Sequence, residues 1–186
     1  LIPLINSPEY LDDYVVDTNL VFLWSEIELF IQTFLQRWLQ VEENVFEAEI
    51  FSKIRIDKTI QEFEELDDES KAEYYVNLLR TKISYAGLAD FMFKAFHELG
   101  LGTNDTRTEK EIEKVLRQLQ ETRNIIIHCD KRIDEKFLRK CPWLNQSHKE
   151  GENLDLSHDD KNDFWLAAIK LFREVQIRLE TKFPQS

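Results

Sequence analysis

Arg123, Asn124 and His128 are the residues of this chain whose types and spacing can do chemistry. They stand together in the run Arg123-Asn124-Ile125-Ile126-Ile127-His128. A histidine titrates near neutrality, so His128 can accept or donate a proton. A guanidinium can stabilise the charge that develops on a phosphorane-like transition state, which is the role open to Arg123. RNA carries its own nucleophile, the 2′-hydroxyl, so this pair can break an RNA phosphodiester with no metal and no cofactor. Asn124 can orient His128 or hydrogen-bond a phosphate oxygen. Just downstream, Lys131, Arg132, Lys136, Arg139 and Lys140 form the one clearly basic segment, diluted by Asp134 and Glu135. These five are candidate contacts to RNA phosphates. The bland alternative for Arg123 is a structural salt bridge, with Asp90 as one candidate partner.

The element that must position these groups is a helix, and the phase of Arg123 on it is informative. Arg123 follows Ile112, Leu116 and Leu119 along an apolar stripe, and Ile126 comes next. A cation on a core face is costly to bury unless it is paired or hydrogen-bonded. Either it meets an acid, or the stripe opens into a cleft that a phosphate can enter. Five residues turn a helix through roughly 140°, so Arg123 and His128 do not stack on one face, whereas Asn124 and His128, four apart, do. A two-fold dimer that brings both copies of the run to one groove would supply the missing convergence. Ile125, Ile126 and Ile127 leave almost no polar side here, which fits covering by a dimer partner.

The rest of the chain also reads as helix. With only four glycines and four prolines, it lacks the turn signal every ~8–12 residues that an all-β fold needs. Residues 19–50 read as one long helix, or two with a break near Glu43–Asn44, with Phe22, Leu23, Ile27, Phe30, Phe34 and Trp38 recurring at three and four. Residues 57–66 read as a short helix or loop. Asp67-Asp68-Glu69-Ser70 opens a helix that runs to about Leu99 through Tyr75, Leu78, Leu79, Ala86, Phe93 and Phe96. Gly100-Leu101-Gly102 stops it, and His97 reads as a helix-end residue suited to the dipole. Thr106 or Thr108 caps the helix that carries the Arg/His run, with Glu111 as in a capping box. A short basic helix over 134–140 ends at Cys141-Pro142. After a polar loop over 144–156, Ser157-His158-Asp159-Asp160 opens a last helix to about Phe183, with Phe164, Ala168, Leu171, Phe172, Val175 and Leu179 inward. The expected fold is all-α, an up-and-down bundle of four or five long helices plus short ones, as one domain over residues 1–186.

Composition narrows the function. The formal net charge is −12, and an acidic surface repels nucleic acid. The distribution softens this: residues 1–36 hold no Lys or Arg, residues 41–73 hold twelve acids against four bases, and the basic segment lies beside the Arg/His run. The apolar stretch from Leu20 to Leu39 contains Glu26, Glu28 and Arg37 and reads as a buried helix rather than a membrane span. Two cysteines and no basic n-region point to free thiols and a cytoplasmic setting. Cys129, Cys141, His148 and His158 lack zinc spacing, so no metal is expected. Asp155, Ser157 and Asp159 resemble the start of a calcium loop but lack its glycine and closing glutamate, and helix capping is the better reading.

The run Glu121-Thr122-Arg123-Asn124-Ile125-Ile126-Ile127-His128, followed by Asp130 to Lys140, resembles the R-x(4–6)-H motif of the HEPN superfamily in its common form Arg-Asn-x-x-x-His. The specific resemblance covers about residues 119–140. It implies an all-helical bundle, a homodimer with a composite groove, and metal-independent endoribonuclease activity on RNA. Many members are toxins of toxin–antitoxin or abortive-infection systems, which implies an antitoxin protein as a further partner. Other members are catalytically silent modules that bind a partner protein or nucleotide. Arg123, Asn124 and His128 match the motif, and no other residue is carried over.

Overall fold

In a computed structural model, the chain is described over residues 8–42, 44–83, 87–102 and 105–183, with backbone alone for 8–13. It is an all-α helical bundle, with no strand among the described residues. The helices are α1 (Pro8–Val41), α2 (Glu49–Ser52), α3 (Ile60–Glu64), α4 (Asp68–Ile83), α5 (Leu88–Glu98), α6 (Thr106–His128), α7 (Glu135–Lys140) and α8 (His158–Lys182). Single 3₁₀ turns stand at Val45–Glu47 and Pro142–Leu144. No described helix is long and apolar enough to cross a membrane.

Several boundaries differ from the sequence reading. The first helix begins earlier; of the two alternatives for 19–50, the interrupted one is observed, with α1 ending at Val41 and a 3₁₀ turn and α2 taking the remainder. The stretch expected as one helix to Leu99 is two, α4 and α5. Gly87 precedes α5 with φ 128° and ψ 178°, a conformation essentially reserved for glycine, so a continuous helix cannot pass through it. Ala86, expected inward, and Glu43, expected at a break, lie outside the described residues. The expected stop of α5 stands: Gly100 takes φ 75°, and the Leu101 N–H closes back on the Phe96 carbonyl at 2.7 Å.

The caps also differ. Asp105, rather than Thr106 or Thr108, caps α6, accepting the Thr108 N–H at 3.1 Å, while Glu111 pairs with Arg107 instead. That backbone hydrogen bond holds the Asp105 carboxyl below the usual carboxylate range. Ser157 and Asp160 cap α8 reciprocally, each accepting the other's N–H at 3.1 and 3.0 Å.

The residues divide into two compact units. One comprises the chain up to Ile27 with Lys114–Ile169, and the other Glu28–Glu113 with the chain from Lys170 onward. The second unit has an aromatic core. Ile31, Leu35, Trp38, Leu79, Phe91 and Phe96 are fully enclosed, each such burial contributing about 1.5–3 kcal/mol. Phe34 meets Phe96 edge-on at 5.6 Å. Phe172, expected inward, is exposed here, as is Phe22 in the first unit. The second unit also buries an ion pair that the sequence reading missed. Arg178 donates to Glu109 at 2.7 Å and to the Leu101 carbonyl at 2.6 Å, while the His97 ring meets the other Glu109 oxygen at 2.8 Å. The guanidinium lies over the Phe93 and Phe96 rings. His97 stands in the last turn of α5, as expected, and its ring also meets a carboxylate.

The first unit positions the Arg/His run. Leu20, Leu23, Trp24 and Ile27 of α1, Leu116, Leu119 and Ile125 of α6, and Phe164 and Ala168 of α8 are buried there. A cluster of Ile125, Ile133, Phe137 and Leu154 ties α7 and the following loop to the end of α6. Backbone hydrogen bonds reinforce it: Ile133 N–H to the Glu152 carbonyl at 2.9 Å, and Leu154 N–H to the Lys131 carbonyl at 2.7 Å.

Candidate functional site

The last two turns of α6 are enclosed differently from the expected stripe. Leu119, Gln120, Glu121 and Thr122 are all buried, a complete helical turn. The apolar face then continues to Ile125, not Ile126, and Ile127 is 44 % exposed. Arg123 is half-buried rather than part of the core face. It forms no ion pair among the described residues. Its Nη1 donates to Asn124 Oδ1 at 3.1 Å, and its Nε is buried without a partner. Thr122 Oγ1, adjacent in the chain, is buried in the same condition. Native interiors hold few such orphans, each costing about 1–3 kcal/mol.

Glu121 is the hub beneath the run. Its buried carboxylate accepts from Lys140 Nζ at 2.9 Å, from Gln120 at 3.1 Å and from Asn124 Nδ2 at 3.3 Å. Asn124 is therefore held at both ends of its amide, by Glu121 on one side and Arg123 on the other. The amide is fixed in one rotation, its oxygen toward the guanidinium.

His128 ends α6 and is exposed. With Asn124, Cys129, Asp134, Lys136 and Phe137 it lines a cleft of about 360 Å³, floored by Ile125 and Glu121. The expected co-facing of Asn124 and His128 is thus observed, and Arg123 is not among the lining residues. The chain leaves the helix abruptly after His128. Asp130 and Lys131 take φ 48° and 60°, left-handed values uncommon outside glycine. The Lys131 N–H bonds the Ile125 carbonyl at 3.3 Å, which turns the chain back toward α7.

The cleft contains two carboxylates, but both are committed. Glu121 is paired with Lys140, and Asp134 caps α7, accepting the Phe137 N–H at 2.7 Å and the Cys129 thiol at 3.8 Å. The charged or titratable lining groups with no partner among the described residues are Lys136 and His128. Of the five basic residues expected to meet RNA, two are engaged otherwise. Lys140 serves Glu121, and Lys131 is paired with Asp17 on α1, in a second hollow lined by Tyr14, Val21 and Ile126. Arg139 lies 4.0 Å from Glu135, exposed, and Arg132 is exposed at an isolated bridge to Asn153. Sequence reasoning missed Glu121 as the organising acid. Its only signal was the three-residue spacing to Asn124, since the Lys140 contact needs the turn at 129–134.

Cys141 is fully buried, and that burial, with the Glu121 carboxylate adding to it, pushes its thiol up to about 12. No group of three or more His, Cys, Asp or Glu side chains is placed to hold a metal ion among the described residues. Compared with protein-family models, curated proteins and solved structures, the chain matches none.

Proposed function

We propose that this chain is a metal-independent endoribonuclease of the HEPN type, acting in a toxin–antitoxin or defence setting. His128 is the acid/base, Arg123 the group that stabilises the phosphate, and Asn124 orients His128 or hydrogen-bonds a phosphate oxygen. The observation that carries this reading is the position of Asn124 between the other two. Asn124 shares a cleft with exposed His128 and accepts a hydrogen bond from Arg123. Lys136 supplies the uncommitted positive charge at that cleft. One of the five N–H donors of Arg123 is used by Asn124, so a rotamer change can present others to a phosphate. The homodimer implied by the motif would bring a second copy of residues 119–130 to the groove.

Cleavage through the 2′-hydroxyl should persist in EDTA and leave 2′,3′-cyclic or 3′-phosphate ends. RNA with 2′-O-methyl groups and all-DNA substrates should resist. His128→Ala should lower the rate by about 10²–10⁴-fold with little effect on folding, because the ring is exposed at a helix end. Loss of cutting on chelation, or cutting of DNA, refutes this chemistry.

A second reading is favoured by one observation: Arg123 does not line the cleft that His128 lines. In that reading the domain is a catalytically silent module that binds a partner protein or nucleotide. Its signature would be early melting of Arg123→Ala together with no cleavage of any RNA by the wild type.

A further inference from the structure

A hollow in the other unit lies away from the Arg/His run in sequence, and its chemistry is different. It encloses about 710 Å³, a volume typical of binding clefts. Its wall is aromatic. Phe46 packs on Tyr75 at 4.8 Å and Phe63 on Tyr75 at 5.6 Å, with Phe51 behind at 5.1 Å from Phe46. Phe46 nevertheless remains 43 % exposed, and Ile60, one turn before Phe63 on α3, is 79 % exposed. Clustered apolar surface of this kind, beside a cleft, marks an interaction site.

Of the four charged side chains that line it, two are acidic and two basic. Asp68 and Glu69 line the cleft at the start of α4, and neither is ion-paired among the described residues. The segment 41–73, which supplies most of the wall, carries twelve acids against four bases. Two cations, Arg37 and Lys71, also stand at the cleft. Lys71 lies with its ammonium 5.8 Å over the Phe63 ring, and Lys58 lies 5.5 Å over Tyr74. The ring faces of this cluster already attract ammonium groups, and both lysines are on long stems that can give way.

We infer that this cleft is a docking site for a positively charged amphipathic segment of a partner protein. One large apolar side chain of that segment lies against Phe46, Phe63 and Tyr75, and its Lys or Arg residues meet Asp68 and Glu69, which have no cation of their own among the described residues. A second copy of this chain is a poor occupant, because it carries a net charge of −12. RNA is a poor one for the same reason of sign. The inference is independent of the ribonuclease reading.

The test is titration of the full chain with a synthetic amphipathic helix of Lys and Leu, followed by calorimetry and by amide shifts at Phe46 and Phe63. Two control peptides accompany it: the same helix with Glu for Lys, and a peptide of equal positive charge built on Gly and Ser. The Lys/Leu helix should bind saturably and shift the cleft amides, and both controls should bind at least about tenfold more weakly. Phe46→Ala and the double variant Asp68→Asn/Glu69→Gln should each weaken the Lys/Leu helix by about tenfold or more. The double variant changes only exposed rim groups, so it decides the matter if Phe46→Ala melts early. Absence of saturable binding, equal binding of the Glu helix, or undiminished binding to the rim variant each overturns the proposal.

Discussion

The ammonium of Lys140 sits 2.9 Å from the buried carboxylate of Glu121, whereas Lys136, one turn earlier on α7, faces the cleft that His128 lines. Two lysines of one short basic helix therefore respond to different tests. Lys140→Ala strands a buried carboxylate that keeps only two neutral donors, and should cost about 3 kcal/mol in a urea melt. Lys136→Ala should leave the melt within about 0.5 kcal/mol, as exposed substitutions do. It should weaken RNA binding and flatten its salt dependence. If Lys136→Ala changes neither, the cleft is not where RNA binds. Cys141 offers a second test at this scale. Its thiol is held protonated up to about 12, against an ordinary value of 9.0. The unfolded chain loses this proton first, so the contribution to stability is fully present below about pH 9. It is lost as pH rises from there toward 12. Iodoacetamide at pH 8 should accordingly modify Cys129 in the folded protein and reach Cys141 only on unfolding, with mass mapping as the readout.

At the scale of elements, glycines and caps decide where helices stop. Gly87 holds φ 128° immediately before α5. Gly87→Ala should destabilise the protein by about 1–3 kcal/mol, although the added methyl is small, because the backbone region itself is closed to L-residues. A melt unchanged by this substitution would mean that α4 and α5 can join another way. The same logic explains the missed break in the sequence reading. Tyr75, Leu79, Phe93 and Phe96 keep a helical period through the region, and periodicity reports which face is apolar, not whether the axis continues. The cap of α6 was misplaced for a related reason. Asp105, Thr106 and Thr108 are all competent caps, and the choice rests on which backbone donors remain free.

For the whole molecule, assembly is the decisive measurement. If two copies of residues 119–130 build one groove, sedimentation should show a dimer at micromolar concentration, and a monomer there counts strongly against the composite groove. The all-α class, the order of the long helices, the stop at Gly100 and the co-facing of Asn124 and His128 were legible in the sequence. Each follows from a local rule: a period of 3.6, a positive-φ glycine, or two residues one turn apart on the same helix. The burial of charge was not legible. A cation on an apolar stripe needs a partner, and the one that has it is Arg178, which follows Leu171 and Val175 and is paired with Glu109, not Arg123. Both arginines share the same helical phase relation to neighbouring aliphatics. Which of them is enclosed depends on what packs over that face, and the acid that meets Arg178 comes from 69 positions away. Likewise, Lys131, Lys136 and Lys140 are alike in composition, and only the folded-back turn after His128 assigns one to Asp17, one to the cleft and one to Glu121. Sequence by itself determined the elements because their signals are local. Tertiary structure alone decided the state of each charge, because a buried ion pair depends on a partner brought near only by folding.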